Sequence, residues 1–161
     1  MISCRKNRGF STVEMLVAVS IVIILATIVL GVGKRLKTQA EEKLARSTIG
    51  ILVTAVTQYH EFWSKFPAVT DPCGLLVVEH SEELYRQLYK TPSSRSFCEK
   101  IDATMIGDTS DPKNDKLEFL DPWGKPLDYR YRDGDSFPVI ESGGPDGDPC
   151  TTADNISSRN M

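Results

Sequence analysis

Charge is missing from a long stretch near the start of this 161-residue chain: no Asp, Glu, Lys or Arg lies between Glu14 and Lys34. Histidine is scarce, with two residues. His60-Glu61 has no second His four positions from the first, which excludes the helical two-histidine zinc arrangement of metalloproteases. His80 reads as a surface residue. The four cysteines form no Cys-x-x-Cys pair and no Cys/His cluster, so a zinc site is not expected. There is no internal repeat, no Gly-rich phosphate loop and no Ser/His/Asp or Cys/His spacing that would support a nucleophile. The chain is therefore not expected to be an enzyme. Basic residues are few in the second half, where Asp102 to Asp154 carries 13 acids and 5 bases. Such a surface does not displace counterions from a phosphate backbone, so no direct nucleic-acid partner is expected. It suits a hard cation such as calcium.

The net charge of −3 hides an asymmetry. Arg5, Lys6 and Arg8 stand among the first nine residues with no acid. Without them the chain carries 16 basic and 22 acidic residues, a net charge of −6. Behind this basic leader, Met15 to Gly33 forms 19 residues without a charge. As a helix they span about 28 Å, close to the hydrocarbon thickness of a bilayer. The leader favours a cytoplasmic start by the positive-inside tendency, although Lys34, Arg35 and Lys37 on the far side reduce the contrast. A cleaved signal peptide has a shorter apolar region and a small-residue cleavage site after it; here "GVGKRLKTQA" continues as helix. An ordinary single-pass anchor accounts for the span but not for Glu14 at its front edge.

Apolar residues then recur at Leu36, Ala40, Leu44, Ile51, Leu52, Ala55, Val56, Tyr59, Phe62, Trp63 and Phe66. This spacing marks one face of an amphipathic helix, with Lys37, Glu41, Glu42, Lys43, Arg46 and Gln58 opposite. Pro67 is expected to stop it. One helix from near Phe10 to near Lys65 is predicted, its first half facing lipid and its second packing on a soluble domain.

The stretch Gly9-Phe10-Ser11-Thr12-Val13-Glu14-Met15-Leu16, behind a short basic leader and ahead of about twenty apolar residues, resembles the N-terminus of type IV pilins and pseudopilins. The resemblance implies cleavage between Gly9 and Phe10 by a membrane prepilin peptidase, N-methylation of Phe10, and assembly of subunits into a helical filament. Phe10 and Glu14 lie one helical turn apart and share a face. A carboxylate at the membrane edge is costly unless paired. In a filament, Glu14 of an incoming subunit is expected to pair with the Phe10 amine of its neighbour and so to set register.

Beyond Pro67, "TDPCG" has turn composition. "HSEELYRQLYK" reads as a short helix with Ser81 as N-cap, Glu82 and Glu83 in its first turn, and Leu84, Tyr85 and Leu88 inward. Pro92, Ser93, Ser94 and Ser96 read as a loop. "KLEFL", "LDYRYR" and "FPVIES" read as strands, and "RDGDS" as a hairpin turn. So few strands need the long helix as a cover. Asp121-Pro122-Trp123-Gly124-Lys125-Pro126 resembles the DPWGxP-type motif of the major pseudopilin of type II secretion. It reads as a structural turn, with two prolines, a reversal at Gly124 and Trp123 as an apolar plug.

In that family the segment corresponding to "ESGGPDGDPCTTADNISS" is a calcium loop. The resemblance implies Asp146 and Asp154 as ligands, with Asp148 as a further candidate and Asn155 where an acid is common. Carboxylates and backbone carbonyls wrapped by Gly suit calcium, and the acid spacing is not that of an EF-hand. Cys150 departs from the family pattern. If the polar remainder is exported, one disulfide among Cys73, Cys98 and Cys150 is plausible and one thiol is left over; all three pairings remain open.

The expectation is a pilin-like α+β protein, with a long N-terminal helix packed on a small antiparallel sheet. Residues 1–9 form the leader, 10–33 the membrane and filament-core helix, 34–66 its amphipathic continuation, and 67–161 a periplasmic head. The expected role is a structural subunit of a type II secretion pseudopilus. Its partners would be the prepilin peptidase, further pilin-like subunits and an inner-membrane assembly platform. The alternatives are a type IV pilus subunit and a membrane-anchored binding protein that does not polymerise.

Overall fold

The computed structural model describes residues 11–69, 77–109, 116–148 and 154–161, without the side chains of residues 29–31 and 34. The basic leader, Gly9, Phe10 and the "TDPCG" turn lie outside the described residues. The chain divides into two compact units, Met1–Gln39 and Ala40–Met161. Helix α1 (Thr12–Trp63) contributes to both.

In the first unit every described side chain from Ser11 to Ile28 is exposed, on all sides of the helix. Val13, Leu16 and Val22 are between 64% and 68% exposed. The hydroxyls within this apolar stretch are satisfied by the helix itself: Ser20 donates to the Leu16 carbonyl (2.8 Å) and Thr27 to that of Ile23 (2.6 Å). Among the described residues no helix is long and apolar enough to cross a membrane. The side chains of residues 29–31, inside the 19-residue uncharged stretch, are not among those described.

In the second unit the expected amphipathic face is present but turned. Ala45, Thr48, Ile49, Leu52, Ala55, Val56 and Tyr59 are buried at spacings of three and four. Leu44, Phe62 and Trp63, expected on that face, are instead 39%, 57% and 51% exposed, and Leu36, in the first unit, is 61% exposed. Ala45 and Ile49 carry the stripe, one residue further round than Leu44. The helix ends before Pro67. Ser64 adopts a left-handed conformation (φ 53°), which breaks the helix directly after Trp63.

Helix α2 (Val77–Lys90) begins one turn earlier than predicted. Ser81 is therefore not its N-cap. Its buried hydroxyl donates to the Phe119 carbonyl (3.0 Å) and accepts from the Phe119 amide (2.9 Å), serving strand backbone from a helix. The earlier start also places His80 on the inward face with Leu84 and Leu88. His80 is 2% exposed and its Nδ1 lies 3.0 Å from Asp128 Oδ1, so it is not a surface residue. Helix α3 (Pro92–Cys98) replaces the predicted loop. Pro92 stands in its first turn, where a missing N–H costs nothing. The Ser94 hydroxyl donates to the Leu88 carbonyl (2.8 Å), which satisfies a buried polar group.

Two small antiparallel sheets follow. β1 (Ile106–Gly107) pairs with β2 (Glu118–Phe119). β3 (Asp128–Arg130), β4 (Val139–Ser142) and β5 (Ile156–Ser157) form the second, with β4 central. The three predicted strands appear as β2, β3 and β4, each shorter than its sequence run. Asp128 faces Glu141 and Arg130 faces Val139 across the "RDGDS" connection, where Gly134 has φ 101°. Tyr129, Ile140 and Ile156 project into one core with Leu52, Val56, Leu84, Leu88, Phe119 and Leu127. The buried Tyr129 hydroxyl donates to the Pro67 carbonyl (3.0 Å). The architecture is α+β.

Glu118 is 1% exposed. One carboxylate oxygen accepts from the Thr109 amide at 2.6 Å, and the other has no hydrogen-bond partner among the described residues. Burial pushes its pKa above the ordinary value, and the neighbouring Glu82 and Asp108 add to the rise. The folded protein thus binds this proton more readily than the unfolded chain. The stability linked to it is fully present below the unfolded carboxyl range and is lost as pH rises through the folded value. Glu118→Gln should be more stable than wild type at pH 7 by about 1 kcal/mol, the scale of an unsatisfied buried polar group. The gain should vanish in melting curves recorded below about pH 4.

Candidate functional site

The N-terminal end of α1 is built around Ser11 and Glu14. Ser11 is the N-cap: its hydroxyl accepts from the Val13 amide (3.3 Å). Glu14, in the third helical position, reaches back so that its Oε2 accepts from the Ser11 amide (2.8 Å). This reciprocal pair is a capping box. Glu14 therefore has a role within its own chain that the filament reading did not include. The signal, Ser-x-x-Glu ahead of an apolar run, stands in the sequence at Ser11 to Glu14. One Glu14 oxygen satisfies the helix start, and the side chain remains exposed.

The second candidate lies in the Ala40–Met161 unit, where the DPWGKP turn meets the C-terminal loop. Asp121 is 1% exposed and accepts from the amides of Trp123 (3.0 Å) and Lys125 (2.9 Å) and from the Ser142 hydroxyl (2.7 Å). Burial raises its pKa, and these three hydrogen bonds oppose the rise. The turn closes with the Asp121 amide donating to the Lys125 carbonyl (2.7 Å), and Gly124 takes φ 76°. Ser142 passes the connection on, because its hydroxyl also accepts from the Gly144 amide (3.1 Å).

The loop after Ser142 is tightly folded on glycine. A Cβ on Gly144 would stand 2.6 Å from the Asp154 carbonyl oxygen, and one on Gly143 would stand 2.9 Å from the Gly147 carbonyl carbon. The Lys125 stem packs over Gly147, where a Cβ would meet it at 3.1 Å. These contacts leave no room for a side chain at Gly143 or Gly144, and the loop's ends carry oxygen donors of the kind calcium takes. Asp146 and Asp148 are exposed, and Asp154 and Asn155 are half-buried. The Asp148 amide donates to Asp146 Oδ1 (2.9 Å). Among the described residues no three Asp, Glu, His or Cys side chains are gathered as a metal-binding group. Among the described residues the two ends of the loop carry oxygen donors, without three converged carboxylates.

Of the cysteines, Cys73 and Cys150 lie outside the described residues. Cys98 is a free thiol, fully buried in the core, and burial pushes its pKa up to about 12. A buried, protonated thiol is inert. A maleimide should leave Cys98 unmodified in the folded protein and label it fully in denaturant, as read by peptide mass; labelling under native conditions would contradict the burial.

No protein-family model, no curated protein and no solved structure matches the chain.

Proposed function

We propose that this chain is a pilin-like structural subunit that polymerises at the inner membrane into a type II secretion pseudopilus. The observation that carries this reading is the junction of Gly9-Phe10 with a capped helix bearing Glu14 in its first turn and apolar side chains exposed on every side. A helix exposed all round with apolar residues needs lipid or other helices around it. A filament core of bundled copies supplies both in turn. In this reading prepilin peptidase removes residues 1–9, and the new Phe10 amine pairs with Glu14 of a neighbouring subunit. An assembly platform adds subunits, and filament growth pushes exported proteins outward. The role is mechanical.

Calcium is proposed as a structural cation of the C-terminal loop, held by Asp146, Asp148, Asp154 and Asn155. When bound, it would balance the negative charge of these acids. The first step of this account is tested by whether the mature chain begins at Phe10.

A further inference from the structure

Asp121 lies outside the loop, yet its carboxylate is linked through Ser142 to the loop's entry at Gly144. Its carboxylate has only acceptor positions, and it receives three donors: two turn amides and the Ser142 hydroxyl. Because Ser142 gives its proton to Asp121, its own oxygen is left to accept from Gly144. Gly144 in turn lies against the Asp154 backbone, and its carbonyl accepts from the Gly147 amide (3.1 Å). The buried carboxylate thus fixes which way the Ser142 hydroxyl points, and so frees its oxygen for the Gly144 amide. An amide at position 121 would present a donor where the Ser142 proton now points, leaving that hydroxyl proton without an acceptor.

We propose that Asp121 is the positioning residue of the C-terminal loop: through the Ser142 hydroxyl it holds Gly144 against Asp154 and so sets the loop's calcium affinity. The affinity half rests on the calcium reading above; the positioning half does not.

The test uses the full chain in detergent micelles, with Ser142→Ala and Asp121→Asn as variants. Amide hydrogen exchange is measured without metal, and calcium binding is measured by titration with calcium chloride. Both variants should speed exchange at Gly144 and Gly147 about tenfold, as expected for loss of one buried hydrogen bond, while Tyr129 and Ile140 in β3 and β4 stay protected. Calcium should bind about tenfold more weakly to both. Two variants that break the same connection from opposite ends should agree, whereas a general loss of packing would speed exchange across the strands as well. Unchanged exchange at Gly144, or a uniform rise across the unit, would overturn the positioning role. A wild type that binds no calcium would overturn the affinity half together with the cation reading, and exchange would still decide the positioning.

Discussion

Glu14→Gln should leave the start of α1 intact and abolish filament assembly. The capping role of Glu14 and the proposed intersubunit pairing have different chemical requirements. In the capping box the side chain only has to accept from the Ser11 amide, and a Gln carbonyl does this as well as a carboxylate. Pairing with the Phe10 amine of a neighbour needs a negative charge in a region of low dielectric, where losing one partner of an ion pair is costly. The Gln variant should therefore show wild-type helicity by circular dichroism and normal removal of the leader, with sheared filaments reduced at least about a hundredfold, the scale of two tenfold steps in an equilibrium constant. Glu14→Leu should lose assembly and also fray the first turn. Normal filaments from the Gln variant would mean that Glu14 serves its own helix only, and the intersubunit pairing would be wrong.

Asp128→Ala should be among the most destabilising single changes in the Ala40–Met161 unit. Asp128 is 7% exposed and lies between His80 and Arg130. His80 Nδ1 is 3.0 Å away on α2, and Arg130 Nε is 3.0 Å from its other oxygen, in an ion-pair contact without hydrogen-bond alignment. Arg130 continues to Glu141 on β4. Removing Asp128 leaves His80 buried against an empty acceptor position. Breaking a buried pair from one side costs about 3 kcal/mol, which lowers Tm on the order of 10 °C for a unit of this size. The exposed part of Arg130 adds little to this figure. Asp128→Asn keeps an acceptor for His80 but removes the charge facing Arg130, so it should recover only the hydrogen-bond part of the loss, about 1 kcal/mol. A loss below about 1 kcal/mol for the Ala variant would mean that water relieves the pair.

The parts of this fold that were legible in the sequence are those with strong local patterns. The long helix was visible in an uninterrupted apolar run followed by a three-and-four spacing, and its bounds fell within two residues of Thr12 and Trp63. β2, β3 and β4 were visible through alternation. The errors came where tertiary contacts outweigh local preference. Ser81 has the chemistry of an N-cap, but Phe119 offers it both a donor and an acceptor, and the helix runs through it. His80 carries no local sign of burial; Asp128, 48 residues away, supplies its partner. The serines of α3 lower helix propensity, yet the Leu88 and Thr91 carbonyls absorb the Ser94 hydroxyl. β1 and β5 have two residues each, too few for any alternation to register. At the candidate site, the acids of the loop were legible as residue types. Their scaffold was not, because the link from Asp121 to Ser142 spans 21 positions and rests on one hydroxyl. The Ser11–Glu14 capping box was missed although its signal is local, because Glu14 was read only as a partner for a neighbouring chain.

The central claim is that this chain is processed and polymerised as a pilin-like subunit, and the intact mass of the protein recovered from its native membrane tests it most directly. The account predicts a mass that begins at Phe10 and carries one added methyl group. A full-length mass beginning at Met1 would contradict it: Glu14 would then be the cap of an ordinary membrane anchor and nothing more.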